Sequence, residues 1–244
     1  MFLREVLIMS TSDLTCLILA GGKGTRLRPI THSIPKPLVK VAGKAIIDYS
    51  VEHCLYHKVK NFIILSGYLS DKVTSHFDST PLHESINLNI VNSGDVDIIE
   101  RIKCAIPSIK TKYLIILYGD TICDVNISDI LKFHKSHGSI ATMATWQMRS
   151  NFGVIDSDNS GMVINYKEKP KMDIWMNIGY IILSTNKINA MHSFDTFQKF
   201  LKGMVESKKL YAYKHNGFHY TVNNISELQD AEECLIKMHK KEKK

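Results

Sequence analysis

The run Leu17-Ile-Leu-Ala-Gly-Gly-Lys-Gly-Thr-Arg-Leu-Arg-Pro29 sets three glycines, a lysine and two arginines directly behind an apolar stretch, and Pro35-Lys-Pro-Leu-Val39 follows. Glycines let backbone N–H groups close on an anion, and neighbouring cations neutralise it. The arrangement is that of a strand ending in a loop that cradles a nucleotide's phosphates. A helix beginning soon after the loop would add a favourable dipole. Leu27 stands where Gly-x-Gly-x-x-Gly needs its third glycine, and Gly-x-x-x-x-Gly-Lys-Ser/Thr is missing, so both common nucleotide loops are excluded. A second run, Tyr118-Gly-Asp-Thr-Ile-Cys-Asp-Val-Asn126, sets Asp120 just past another apolar stretch. One carboxylate there is placed to hold Mg²⁺, with phosphate and water at the metal's other positions. No Ser-His-Asp arrangement accompanies these residues.

The full phrase Leu-Ala-Gly-Gly-x-Gly-Thr-Arg-Leu-x-Pro-x-Thr, then Pro-Lys-Pro-Leu-Val and Val-x-Gly-Lys, runs from Leu19 to Lys44. It resembles the sugar-1-phosphate nucleotidyltransferase family. The resemblance implies a Rossmann-like nucleotide-binding sheet with a sugar-binding lobe. It implies that Leu19, Ala20, Gly21, Gly22, Gly24, Thr25 and Gly119 hold the nucleotide, that Arg26 bridges its phosphates, and that Lys36 reaches the α-phosphate. Asp120 matches the family's metal aspartate. Arg26, Lys36 and Asp120 are thus the expected catalytic residues. An acceptor phosphate is already ionised, so fixed cations and N–H donors suffice to stabilise charge at the α-phosphorus.

The run from Tyr118 to Asn126, with Phe133-His-Lys-x-x-His-Gly138 and Ala141-Thr142, looks like the glucose-1-phosphate cytidylyltransferases in particular. CTP is therefore the favoured nucleotide. Asp124 matches as well, and structuring the turn before the next helix is its expected role. On the acceptor side, Phe152-Gly153-Val154, Glu168-Lys-Pro170 and Asn177-x-Gly179 resemble sugar-phosphate elements. Lys169 would neutralise the incoming phosphate, Glu168 would accept from hydroxyls, and Gly153, Asn177 and Gly179 would complete the acceptor set.

Two segments depart from that pattern. In Gly217-Phe-His-Tyr-Thr-Val-Asn-Asn224, His219 takes the place of a Trp, and Asn223 replaces a second metal aspartate. Asparagine keeps an oxygen ligand and loses its charge, which weakens Mg²⁺ binding unless substrate phosphates compensate. In Asn92-Ser-Gly-Asp-Val-Asp-Ile-Ile-Glu-Arg101, cytidylyltransferases carry a longer, glycine-containing loop around the nucleotide. Two alternatives follow. The acceptor is a small non-sugar phosphate used in surface-polysaccharide modification, or the chain is a weakened nucleotide-sensing regulatory subunit. His134 and His137, three apart on an expected helix, read as surface positions and not as a zinc site.

The whole chain narrows the setting. Its 244 residues, 44% apolar and 23% charged, suit one large α/β domain. The net charge of +7 leans on the tail Lys237-Met-His-Lys-Lys-Glu-Lys-Lys244, read as a solvated helix end and not as a nucleic-acid site. The five scattered cysteines argue for free thiols in a reducing cytoplasm. No apolar run approaches the roughly 18 residues of a membrane span. Arg4 and Glu5 break up Met1–Met9 as a signal peptide, and Met9 is an alternative start. A homo-oligomer stays open.

The positioning elements follow from periodicity. Strands are expected at Thr15–Ala20, Asn61–Leu65, Leu88–Val91 and Tyr113–Leu117, with helices at Ile46–His57, Ser70–Phe77 and Ile98–Ile106. A further helix is capped by Asn126 or Ser128 and ended by Gly138. Such alternation gives a mostly parallel sheet with helices on both faces and ligands at the strands' carboxyl ends. Strands at Ser139–Trp146, Gly153–Asp156, Met162–Lys167, Ile178–Leu183 and Leu210–Tyr213, with helices at Phe194–Val205 and Ser226–His239, make a mixed acceptor-binding lobe. The expected division is a nucleotide-binding part at 14–138, an acceptor-binding part at 139–236 and the basic tail at 237–244.

Overall fold

The computed structural model describes residues 11–242. The expectations for Met1–Met9 and for the last two lysines fall outside them. In chain order the elements are β1 (Leu14–Leu19), β2 (Lys40–Val41), β3 (Lys44–Ala45), α1 (Ile46–Tyr56), β4 (Asn61–Ser66), α2 (Ser70–Asp78), β5 (Asn87–Asn92) and α3 (Ile98–Ala105). They continue with β6 (Tyr113–Tyr118), β7 (Thr121–Cys123), α4 (Ile127–His137), β8 (Ala141–Arg149), β9 (Val154–Ser157), β10 (Val163–Lys167) and β11 (Lys171–Ser184). Last come α5 (Phe197–Glu206), β12 (Leu210–His215), β13 (His219–Thr221) and α6 (Ile225–Glu242).

A seven-stranded sheet in the order β12-β8-β11-β6-β1-β4-β5 forms the body. β6, β1, β4 and β5 run parallel, β11 is antiparallel to both neighbours, and β12 is parallel to β8. Period-2 alternation divides each strand's side chains between two cores. On β1 and β6, Cys16, Ile18, Ile115 and Leu117 face the α1, α2 and α4 side, whereas Leu17, Leu114 and Ile116 face α3 and α5. The expectation of helices on both faces is met. Strands from 14–138 and from 139–236 share this one sheet, and β9 and β10 pair as a separate two-stranded hairpin.

Local signals set several boundaries. The Asn126 side chain accepts from the Asp129 N–H and caps α4, and Gly138 ends that helix at φ 57° in the left-handed region. β11 begins seven residues before the expected Ile178. Its outer half is half-exposed, so the apolar run that marks the inner half is absent there. The ladder β7–β13 and the hairpin β2–β3 have too few residues to leave a period.

No α-helix follows the glycine loop. Three single turns of 3-10 helix stand there, at Thr25–Leu27, Ile30–His32 and Lys36–Leu38. Pro29, Pro35 and Pro37 supply no N–H to a continuous helical ladder, so the segment cannot extend one. The helix start that faces the cleft is that of α3.

Candidate active site

β1 and β6 lie side by side, with Leu19 paired to Tyr118, so the glycine loop and Gly119-Asp120 leave the sheet together. Gly119 N–H donates to Leu19 O at 3.1 Å, and a Cβ at Gly119 would stand 2.4 Å from that oxygen. Only glycine fits between these strand ends. Ala20 N–H donates to Leu65 O, and Thr31 Oγ1 ties down Gly24 O at 2.8 Å, which fixes both limbs of the loop.

Asn223 arrives from the far end of the chain. β13 pairs with β7 as Thr221 opposite Thr121, and Val222 N–H donates to Asp120 O. Glu227 accepts from Asn223 N–H, while Asn224 Oδ1 accepts from Glu227 N–H, so the start of α6 clamps the preceding turn. α6 then packs Ala231 and Leu235 on a third core made by Leu27, Val39, Val41, Ile46 and Ile122. That packing fixes Asn223 opposite the glycine loop.

The result is a cleft of about 370 Å³ over the loop. Leu19, Ala20, Gly21, Gly22, Gly24 and Thr25 line it on one side, and Arg26, Lys36, Gly119, Asp120 and Asn223 line it as well. Lys36 Nζ donates to Asp120 Oδ2 at 2.5 Å and to Asn223 Oδ1 at 2.9 Å. The Arg26 guanidinium donates to the same Asn223 oxygen at 2.8 Å. Every residue expected to serve the nucleotide or the metal is thus in one cavity. The two oxygens converge on a single ammonium nitrogen. One carboxylate and one amide oxygen are hard donors that suit Mg²⁺ when phosphates supply further ligands. Among the described residues no three His, Cys, Asp or Glu side chains gather as a metal cluster.

The acceptor set does not line this cavity. Gly153 and Glu168 belong to the β9–β10 hairpin region, where the Tyr166 ring lies over Gly153 and its hydroxyl donates to the Glu168 carboxylate. Lys169 is exposed, at φ 44°. Asn177 and Gly179 act at one remove. Asn177 Oδ1 accepts from Gly179 N–H at 2.9 Å, its side chain stands close enough to the Tyr118 hydroxyl to influence its ionisation, and Gly179 gives the Tyr118 ring its room. Tyr118 does line the cleft. Burial raises its pKa above the ordinary phenol value.

The other marked residues are structural. Asp124 accepts from Phe218 N–H at 2.7 Å and pairs with His215 at 3.0 Å, holding the turn before β13. His134, expected at the surface, is instead buried on the apolar face of α4, with Nδ1 against Thr142 and Nε2 against Ser184, and burial lowers its pKa to about 4. His219 is likewise lowered to about 4 by burial and is a neutral imidazole. Trp146 of β8, a strand of the main sheet, stands against it at 5.6 Å between ring centroids, so an aromatic ring is supplied from another segment.

Sequence reasoning missed Arg101, Asp97, Val96 and Tyr118 among the residues lining the cleft. For Arg101 a signal existed. It shares the helical stripe of Ile98, Ile102 and Ala105, where a charge is out of place.

A strand-end glycine loop, two cations and an aspartate in one cleft define a nucleotide-binding enzyme that works on phosphates. The nucleotidyl transferase family model matches residues 15–241, and the chain belongs to that family of NTP-dependent enzymes. The chain is 30% identical over 227 residues to the glucose-1-phosphate cytidylyltransferase of Salmonella typhimurium, covering 83% of this chain and 88% of that protein. It is 27% identical over 268 residues to the glucose-1-phosphate adenylyltransferase of Mycoplasma mobile, covering 95% of this chain and 69% of that protein. A solved UDP-glucose pyrophosphorylase complexed with UDP-glucose superposes with a TM-score of 0.74 at 19% identity, covering 92% of this chain and 98% of that one, and shares the fold.

Proposed function

We propose that the chain transfers a cytidylyl group from CTP to a sugar 1-phosphate and releases pyrophosphate, with Mg²⁺ held at Asp120 and Asn223. The observation that carries this reading is the meeting of Lys36, Arg26, Asp120 and Asn223 over the glycine loop. The preference for CTP is supported by the relation to the Salmonella cytidylyltransferase.

An oxygen of the acceptor's phosphate forms the bond to the α-phosphorus as the bond to the β-bridging oxygen breaks. The electron pair leaves with pyrophosphate. No general base is required, since the attacking oxygen is ionised. Loop N–H groups from Gly21 to Thr25 hold the phosphate chain, and Arg26 and Lys36 oppose the charge that builds up around phosphorus. Bound Mg²⁺ supplies further neutralisation of phosphate charge. Asp120 fixes the Lys36 ammonium as well as offering a metal ligand.

A second reading keeps cytidylyl transfer and replaces the sugar by a small non-sugar phosphate. It is favoured by Glu168, whose carboxylate is engaged by Tyr166 outside the cleft instead of waiting for sugar hydroxyls. Pyrophosphate release measured across four NTPs, each against sugar 1-phosphates and phosphorylated amino alcohols, tests both. Turnover with CTP and a sugar 1-phosphate is the expected result. Turnover confined to the amino-alcohol phosphates would replace it by the second reading. Tight NTP binding without turnover on any acceptor would instead fit a nucleotide-sensing subunit.

A further inference from the structure

Arg101 has no part in the chemistry above, yet it forms the inner wall of the cleft. It is 5% exposed on the apolar stripe of α3. Its Nη1 donates to Ser66 O at 2.7 Å and to Ser93 Oγ at 2.5 Å, and its Nη2 donates to Val96 O at 3.0 Å. Two separate segments are thereby gathered on one guanidinium: the end of β4 at Ser66, and the β5–α3 connection at Ser93 and Val96. The glycine loop lies against it as well. A Cβ on Gly21 would stand 2.0 Å from Nη1, and one on Gly67 would stand 2.5 Å from it.

No carboxylate stands within ion-pair distance of Arg101 among the described residues, and the nearby Asp95 is taken by Lys23 at 2.6 Å. A buried guanidinium bonded only to neutral oxygens, with Asp95 as its nearby opposite charge beyond ion-pair distance, is costly to desolvate. The cost is borne behind Gly21, the first residue of the phosphate loop.

We propose that Arg101 is a positioning residue for the nucleotide: it locks the glycine loop, the end of β4 and residues 93–97 into one wall, and its unpaired charge is completed by the nucleotide's anionic phosphates. The inference rests on the nucleotidyltransferase reading of the cleft. Arg101 acts through the wall and the field it creates, not on the reacting phosphorus. The nucleotide's KM is therefore the quantity it controls.

The test is calorimetric titration of the full chain with CTP and CMP for wild type, Arg101→Met and Arg101→Lys, beside thermal melting and steady-state kinetics. Arg101→Met is expected to stay folded and to melt somewhat below the wild-type temperature, since Ser66 O and Val96 O lose their donor. It should bind CTP on the order of 10- to 100-fold more weakly, with a smaller loss for CMP, which carries fewer charges. KM for CTP should rise in parallel, while kcat and the acceptor's KM change by less than about 3-fold. Wild-type CTP affinity in a folded Arg101→Met, or equal losses for CTP and CMP, would overturn the charge role. Arg101→Lys keeps the charge and loses the fork, and several-fold weaker CTP binding is expected of it. Wild-type affinity in that variant would overturn the locking role, whether or not Arg101→Met folds. If wild type itself binds no NTP, the nucleotidyltransferase reading fails first, a result read without any variant.

Discussion

Lys36 and Asn223 are 187 positions apart in the chain, and their side chains meet at 2.9 Å. The lysine comes from a proline-flanked turn after the glycine loop, the asparagine from the turn that α6 clamps. Asp120, at 2.5 Å from the same ammonium, completes a joint between the first third, the middle and the end of the chain.

Removal of either cation should cost turnover without unfolding the protein. Lys36→Ala and Arg26→Ala are each expected to lower kcat by about 10²-fold or more, roughly 3 kcal/mol of lost charge stabilisation at the α-phosphorus. Both side chains lie in the cleft and outside the two main cores, so melting temperatures should stay close to wild type. Steady-state rates of pyrophosphate release beside thermal melts check this. A near-normal rate for Lys36→Ala would show that the reacting phosphate lies elsewhere.

Metal demand should follow the charge at two positions. Asp120→Asn removes the single carboxylate of the pair and is expected to raise the Mg²⁺ concentration for half-maximal rate more than any other substitution in the cleft. Asn223→Asp restores a second negative charge and should lower it. Rates titrated with Mg²⁺ at fixed CTP read both. An unchanged Mg²⁺ response in Asp120→Asn would move the metal away from this site.

Gly179 should resist substitution through Tyr118. It sits at φ 78°, and an added Cβ would come within 2.6 Å of the Tyr118 ring. Gly179→Ala is expected to cost about 1–3 kcal/mol in stability from backbone strain alone. The displaced ring would also move the cleft wall beside Asp120, so KM values should change as well. Urea unfolding together with KM for both substrates tests it, and a silent variant would contradict the packing.

Stability should fall with acid through His134. Burial holds its folded pKa at about 4, below the ordinary histidine value near 6.5. Between those values the unfolded chain binds the proton and the folded chain does not. Stability is therefore full above about pH 6.5 and is lost toward pH 4, at up to about 1.4 kcal/mol per pH unit for one proton. Urea midpoints at pH 7 and pH 5 should converge in His134→Gln relative to wild type. His57 and His219, also lowered to about 4 by burial, keep their share of the slope in that variant, and the same slope in both proteins would rule His134 out as a contributor.

Much of this site was legible because its residues are neighbours in the chain or follow an apolar run. Gly21 to Lys36 fall within sixteen positions, and Asp120 sits two residues past β6. The β2–β3 hairpin was not legible because two-residue arms leave no period, and the β7–β13 ladder because its short strands come from distant segments. The 3-10 turns between the glycine loop and α1 left no periodic signal, and three prolines in nine positions rule out a continuous α-helix there.

The sequence by itself determined the chemistry on offer: a glycine loop, its cations and a carboxylate at strand ends, because spacing along one strand and its turn fixes which groups leave it together. Tertiary structure alone decided the convergence. It brought Asn223 onto Lys36 and Arg26 and set the guanidinium of Arg101 beneath Gly21. It left Glu168 and Lys169 outside the cleft. Distances between segments far apart in the chain are set by packing of helices on a sheet, and no local pattern records them.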